Sequence, residues 1–195
     1  ALKLYLKRVA DIGPDAVIMA DPGVIWLAKQ LIPHIDTHLS TQANTTNLNA
    51  VRFWNELGVK RVNLARELSL VEIKQICDQS PIETETFIHG AMCVSYSGRC
   101  LLSSFLSGRD SNRGLCSHPC RWKYSVVEEQ RPNEYHPLME DSRGSYIFNS
   151  KDLCMIEYIP QLVSAGITSL KIEGRMKGIN YLASVVKTYR SAIDA

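Results

Sequence analysis

Apolar residues along this chain change their period repeatedly, and each change predicts an element. LKLYLKRVADI reads as a helix that stops at Gly13-Pro14, and DAVIMAD (15–21) is a short apolar run with β-branched residues, a strand. Pro22-Gly23 breaks it, and VIWLAKQLI resumes helical spacing. THLSTQ (37–42) is the next strand. Asn44 or Thr45 caps a helix whose Leu48, Val51, Trp54 and Leu57 form one stripe, and Gly58 stops it. RVNLAR (61–66) is a third strand. Ser69 and Glu72 have the spacing of a capping box, opening a helix with Leu70, Ile73, Ile76 and Cys77 on its apolar face, so Cys77 is core. ETETFIH (83–89) is the fourth strand. Further on, LLSSFLS gives about two helical turns, KYSVVEE (123–129) a strand, 129–145 a polar loop and YIFNS (146–150) another strand. DLCMIEYIPQLVSAG reads as a helix kinked at Pro160, TSLKIEG (168–174) as a strand, and a last helix from about Asn180 aligns Leu182, Val185, Val186 and Tyr189.

Strands alternating with helices mean βα units and a parallel sheet, an α/β chain. No strand runs into GxGxxG, which disfavours a dinucleotide-binding fold. A (β/α) TIM-type barrel fits better. A closed barrel needs about 200–250 residues and eight strands, and only about six strands are visible here. The expectation is one partial barrel domain over 1–195, incomplete at the N-terminus, with the cysteine-rich segment 90–124 and the loop 129–145 inserted. Residues 15–21 would then form an edge strand.

Composition adds limits rather than identity. Hydrophobic residues at 45% and charged residues at 22% are those of a globular protein, and a net charge of +2 singles out no partner. No apolar run reaches the length of a membrane span and no signal-peptide pattern is present, so no membrane partner is expected. Six cysteines without a secretory signal point to a reducing compartment, the cytoplasm. The oligomeric state is not legible.

Five of those cysteines, Cys93, Cys100, Cys116, Cys120 and Cys154, fall in one stretch with spacings C-x6-C, C-x15-C, C-x3-C and C-x33-C. Structural zinc sites pair two short knuckles, and only Cys116 and Cys120 can form one. Iron–sulfur ligands come from well-separated loops. Spacing alone leaves a cluster, zinc and unliganded thiols all open.

Strand alternation places other candidates. Lys171 and Glu173 share one face of their strand, against Leu170 and Ile172. His38, Ser40 and Gln42 share a face of the second strand, and Glu85 and His89 a face of the fourth. Either these groups line a reactive barrel mouth, or they form a salt-bridged barrel floor. Arg66-Glu67 and Glu173-Gly174-Arg175 close two strands with charged pairs; an arginine fork there suits a carboxylate or phosphate, and a surface ion pair accounts for it equally. His89 is an acid–base group or a hydrogen-bonded strand-end histidine. His34, His118 and His136 sit in loops and carry no claim. Between Cys93 and Val126, Arg99, Arg109, Arg113, Arg121 and Lys123 outnumber Asp110, with Tyr96, Trp122 and Tyr124 interleaved. That mixture suits single-stranded RNA, and guanidinium groups offsetting thiolate charge explain it too.

The run E-T-F-I-H-G-A-M-C-V-S-Y-S-G-R-C-L-L-S-S resembles the signature of the collagenase-like peptidases, peptidase family thirty-two of the unassigned catalytic type. N-R-G-L-C-S-H-P-C-R-W-K-Y, N-S-K-D-L-C and S-L-K-I-E-G-R-M-K resemble further blocks of that family in order, so the resemblance covers nearly the whole chain. It implies a barrel. Some members are labelled proteases; others take part in oxygen-independent hydroxylation of ubiquinone precursors or of uridine or cytidine in RNA. In those members four cysteines hold a 4Fe–4S cluster, and the matching positions are Cys93, Cys100, Cys116 and Cys154, with Cys120 left spare. The resemblance thus implies an iron–sulfur enzyme acting on a tRNA wobble uridine or a ribosomal cytidine, with prephenate as co-substrate. As a small dicarboxylate, prephenate would meet Arg66, Arg175 and Gln42, while His89, Glu85, Lys171 and Glu173 would carry the catalysis. The alternative is a peptidase, although no GxSxG elbow or HExxH helix is present. A non-catalytic scaffold bearing a cluster is the third reading.

Overall fold

A computed structural model describes residues 1–93, 95, 99–122, 124–137, 140–141, 144–145 and 152–194. The first half alternates as the periodicity predicts: α1 (Leu2–Ile12), β1 (Ala16–Met19), α2 (Pro22–Leu31), β2 (Asp36–Leu39), α3 (Leu48–Glu56), β3 (Arg61–Asn63), α4 (Leu70–Cys77) and β4 (Glu83–Ala91). Their ends are set by local chemistry. Gly13 takes the left-handed conformation that closes α1. Asp21 accepts the Val24 N–H, which makes Pro22 the first residue of α2 rather than part of a break. The Ser69–Glu72 capping box opens α4 as expected. The cap of α3 is Asn47, not Asn44 or Thr45, because its carboxamide reaches the Ala50 N–H.

β1, β2, β3 and β4 pair in parallel in that order, and β10 (Ser169–Ile172) pairs parallel to β4 on its far side. Among the described residues, β1 and β10 are the outer strands of this row. Even positions of β4 face the helices: Thr84, Thr86 and Ile88 are buried, and Thr84 Oγ1 lies 3.3 Å from Cys77 Sγ. Val62, Leu64, Ile88, Ile73, Ile76, Val51 and Trp54 form the main core with Ile159, Leu162 and Tyr189. Each fully buried aliphatic side chain there contributes about 2 kcal/mol. A second cluster, Leu6 with Ala28, Ile32 and Ile35, fastens α1 to α2.

Several expectations need correction. β2 ends at Leu39 and the chain turns into a 3-10 segment, Thr41–Ala43, so Ser40 and Gln42 are not strand residues. The stretch 129–145 is not wholly loop: β5 (Ser125–Glu128) and β6 (Arg131–Pro137) make an antiparallel hairpin, and β7 (Glu140–Asp141) pairs with β8 (Gly144–Ser145). The strand expected at 146–150 lies outside the described residues. Asp152–Cys154 is a strand, β9, antiparallel to the end of β4, rather than the start of a helix. Pro160 does not kink a long helix; it sits in the first turn of a short one, α6 (Ile159–Ser164), where its missing N–H costs nothing. α5 (Leu102–Ser107) and α7 (Ile179–Asp194) stand where the periodicity put them.

β10 does not run evenly against β4. Lys171 pairs with Phe87 but Ile172 pairs with His89, a one-residue bulge. Gly90 follows at φ +109, with the Glu173 N–H donating to the His89 carbonyl at 2.8 Å. A one-residue slip sends the next side chain to the opposite face. This bulge decides which groups reach the site.

Candidate functional site

At the C-terminal ends of the strands lies a cavity of about 530 Å³. Its walls come from all five parallel strands and the cysteine segment: Ile18 and Ala20, Gln42, Asn63 and Arg66, Phe87 and Ala91, Lys171 to Met176, then Cys93, Cys100, Cys116, His118 and Cys120. Reactive groups of parallel α/β folds gather at this end. A second cavity opens at the N-terminal ends, between Asp36, His38, Arg61 and Glu83. His38 therefore does not join Gln42, and its pKa is lowered by burial first and by Arg61 second.

Beneath the first cavity is a saturated charge cluster. Glu85 Oε1 accepts from Asn63 Nδ2 at 2.8 Å and from Lys171 Nζ at 3.0 Å, while Oε2 accepts from Ser169 Oγ at 2.8 Å. Arg61 Nη1 stands 3.9 Å from the same carboxylate. Burial by itself would raise the Glu85 pKa, but Lys171 and Ser169 together outweigh it and hold the carboxyl below its ordinary value. Glu85 is thus an anion that orients Lys171, whose Nζ also lies 5.4 Å from the Phe87 ring centre. Replacing it in Glu85→Gln should cost about 2 kcal/mol, since Lys171 loses its counter-charge while Arg61 keeps Glu83 at 2.6 Å. Because its folded pKa is depressed, Glu85 stabilises the protein above the ordinary carboxylate pKa, and that part is lost as the pH falls through the folded value. Urea unfolding of E85Q at pH 7 and pH 4 should show a smaller acid loss than the parent; equal losses would contradict the assignment.

The cavity wall itself carries unmatched groups. Arg66 Nε and Glu173 Oε2 are buried with no hydrogen-bond partner among the described residues. Arg66 is held over Phe87, 6.0 Å from the ring centre, and Glu173 Oε1 accepts from the Arg175 N–H at 3.1 Å. Gly114 has no side chain, and a Cβ there would collide with the Arg175 guanidinium. Arg99 donates from Nε and Nη2 to the Gln42 carbonyl at 3.1 and 2.8 Å, which ties the cysteine segment to the end of β2.

Cys93, Cys100, Cys116 and Cys120 share this cavity, and none of the six cysteines is in a disulfide. Burial raises the Cys93 pKa. The Leu102 and His118 N–H groups donate to Cys100 and Cys116 sulfurs at 3.4 and 3.3 Å. Cys154 is not on the cavity wall: it faces His89 across the β4–β9 ladder, is exposed, and its sulfur lies 3.8 Å from the Tyr189 hydroxyl. Among the described residues no group of three or more His, Cys, Asp or Glu stands close enough to hold a metal ion. The thiols on the cavity wall are the donor chemistry of a thiolate-bound group, and three of the four matching cysteines, Cys93, Cys100 and Cys116, stand there together.

His89 also departs from expectation. The bulge at the end of β4 turns it from the cavity toward α7, where Nδ1 lies 3.3 Å from the Tyr189 hydroxyl and the ring packs on Tyr181 and Tyr189. Tyr189 donates to the Ile88 carbonyl at 2.8 Å and accepts the Met155 N–H at 3.0 Å, and burial lifts its pKa to about 12. His89 is a strand-end packing residue here.

Sequence reasoning passed over two groups. His118, two residues from both Cys116 and Cys120, lines the cavity with φ 55, and burial followed by Arg121 lowers its pKa. The C-x3-C knuckle was the available signal. Asp152 carried none: it takes Lys177 Nζ at 2.9 Å, Tyr181 OH at 2.8 Å and Arg121 Nη2 at 2.6 Å. That clamp joins the cysteine segment, β9 and the start of α7. Of the residues expected on an RNA surface, Tyr96 and Lys123 lie outside the described residues, and Trp122 stacks on Tyr124 with ring centres 6.4 Å apart.

The sequence model of peptidase family U32 matches residues 1–195. The chain is 46% identical over 194 residues to tRNA hydroxylation protein P1 of Bacillus subtilis, covering 100% of this chain and 46% of that protein. It is 43% identical over 229 residues to tRNA hydroxylation protein P of Escherichia coli, covering 97% and 51%. A 23S rRNA 5-hydroxycytidine synthase of Escherichia coli is 36% identical over 184 residues, covering 94% and 26%. The chain thus spans about half the length of the first two relatives. No solved structure matches it. No helix among the described residues is long and apolar enough to cross a membrane.

Proposed function

The chain belongs to peptidase family U32, and we propose on that premise that it supplies the reaction cavity of an enzyme that hydroxylates a nucleobase in tRNA or rRNA. The observation that carries this reading is the cavity at the C-terminal strand ends, where a buried donor on Arg66 and a buried acceptor on Glu173 lack partners among the described residues, beside a wall of cysteine thiols. Unpaired buried polar atoms cost about 1–3 kcal/mol each, so such a cavity is built for a polar guest. The relatives named for tRNA and rRNA hydroxylation supply the reaction class.

Within this reading the parallel sheet is part of a (β/α) barrel that carries the cysteine-rich segment as an insertion. Arg66 and Arg175 bind the carboxylates of a small dicarboxylate, prephenate, with Gln42 at the rim. Lys171, oriented by Glu85, places a positive charge under that guest, and Glu173 accepts a hydrogen bond or proton from it. Cys93, Cys100, Cys116 and Cys154 are the proposed holders of a 4Fe–4S cluster, which when bound would supply electron transfer. Cys120 rivals Cys154 as fourth ligand because it already lines the cavity.

The test is anaerobic purification of the intact protein, with iron and sulfide assay, and nucleoside analysis of RNA from cells lacking it. Brown protein and a missing hydroxylated nucleoside are expected. C154S and C120S identify the fourth ligand by which of them loses iron. Colourless protein that cleaves peptides, with RNA unchanged, would replace this reading by peptide hydrolysis.

A further inference from the structure

The cysteine segment presents an aromatic ledge. Trp122 stacks on Tyr124 at an interplanar angle of 19°, with ring centres 6.4 Å apart, and its indole remains 47% exposed. A half-exposed tryptophan held against a second ring offers a flat face whose desolvation is favourable and whose orientation is already settled. Trp122 directly follows the 3-10 turn Pro119–Arg121, whose Pro119 and Cys120 line the cavity, so the ledge begins two residues beyond a cavity-lining cysteine. Arg121 anchors the turn through Asp152. On the same segment α5 packs against this turn and carries Phe105, which is 85% exposed.

The charge of this segment is one-sided. Between residues 99 and 122 the chain carries Arg99, Arg109, Arg113 and Arg121 against the single acid Asp110. Arg109 and Arg113 are exposed, and the Arg113–Asp110 contact at 3.3 Å is a surface pair of little energetic weight. Arg99 is satisfied by a neutral carbonyl, so its charge is not cancelled there. Exposed aromatic faces among exposed arginines are the chemistry that holds single-stranded nucleic acid, in which every base offers a π-face and every linkage a negative charge. A protein partner would match the apolar rings but leaves the excess of arginine unexplained.

We propose that Trp122, backed by Tyr124, is a stacking platform for an unpaired base of the RNA, with Arg109 and Arg113 on its phosphates. This rests on the RNA reading above and adds to it the residue that seats the strand next to the cavity-lining turn. A base held there leaves its neighbour free to turn into the cavity, where the unmatched groups of Arg66 and Glu173 stand.

The experiment measures binding of a fluorescein-labelled single-stranded uridine 12-mer to the intact protein by anisotropy, beside unlabelled tRNA as competitor. Stacking accounts for about 1–3 kcal/mol per base, so Trp122→Ala should weaken binding of the 12-mer roughly tenfold or more. Trp122→Phe, which keeps a ring, should stay within about threefold and guards against a folding artefact. Arg109→Ala with Arg113→Ala should flatten the salt dependence by about 1–2 units of slope. Wild-type protein that binds the 12-mer while W122A binds it equally well would overturn the platform and leave the RNA reading standing. Wild-type protein that binds neither the 12-mer nor tRNA would overturn both. Loss of binding in W122F equal to that in W122A would also overturn the platform, since stacking tolerates the exchange.

Discussion

Replacing Gly90 with alanine is expected to destabilise the protein by about 4 kcal/mol or more. Gly90 is buried at φ +109, outside the region that L side chains adopt, and forcing alanine there costs about 1–3 kcal/mol in backbone strain. A Cβ would also fall well inside contact distance of the Glu173 carbonyl. That carbonyl belongs to backbone and cannot swing aside, and the Glu173 N–H is already bonded to the His89 carbonyl. Relief requires parting β10 from β4, which displaces Lys171, Glu173 and Arg175 from the cavity together. Gly108 is the internal control: it has φ +65 but open space, with nothing within 4 Å of where a methyl would sit, so Gly108→Ala should cost only about 1 kcal/mol. Urea unfolding of both variants checks the contrast. A G90A midpoint equal to that of G108A would mean that the bulge is not rigid.

Removing the Asp152 carboxylate should rank second. Its three partners, Arg121 from the cysteine segment and Lys177 and Tyr181 from around the start of α7, converge on one carboxylate, and the Arg121 and Lys177 side chains expose only 23% and 21% of their area. Asp152→Ala leaves two half-buried cations unpaired, a loss of about 2–3 kcal/mol. Asp152→Asn keeps the shape and removes the charge, so it isolates the electrostatic part. Burial and then the bond to Asp152 lift the Tyr181 pKa to about 12, and in either variant its titration should move back toward the ordinary tyrosine range. Burial would raise the Asp152 pKa, but Lys177, Tyr181 and Arg121 hold it well below the usual carboxylate range. Its contribution is therefore complete above the unfolded carboxylate pKa and lost only as the pH falls through the lower folded one, so the variants should resemble the parent more closely in strong acid than at pH 7. Loosening the clamp should also speed labelling of Cys116 by a maleimide, because Arg121 ties its turn to β9. Unchanged labelling and stability in D152A would show that the clamp is incidental.

Elements fixed by local chemistry were legible in the sequence: the Ser69–Glu72 capping box, the Gly13 stop, the parallel βα alternation and the inward pair Lys171 and Glu173. Each depends on spacing within a few residues, and the sequence records spacing directly. The family blocks likewise pointed to the cysteine segment, and three of the four proposed ligands do share the cavity with Arg66, Arg175 and Gln42. Other placements depended on how distant segments meet. His89 obeyed strand alternation on paper, yet a bulge set by β10, more than eighty residues away in sequence, turned it to Tyr189. Cys154 lay in a stretch of helical-looking composition, yet the free end of β4 drew it into a strand, since open backbone donors and acceptors there outweigh weak helix propensity. Glu85 was legible only as a catalytic candidate on one face of its strand; that it anchors Lys171 was not, because only the fold brings Asn63, Ser169 and Lys171 to one carboxylate. Sequence fixes what a segment can form by itself; long-range pairing decides which face of it meets the site.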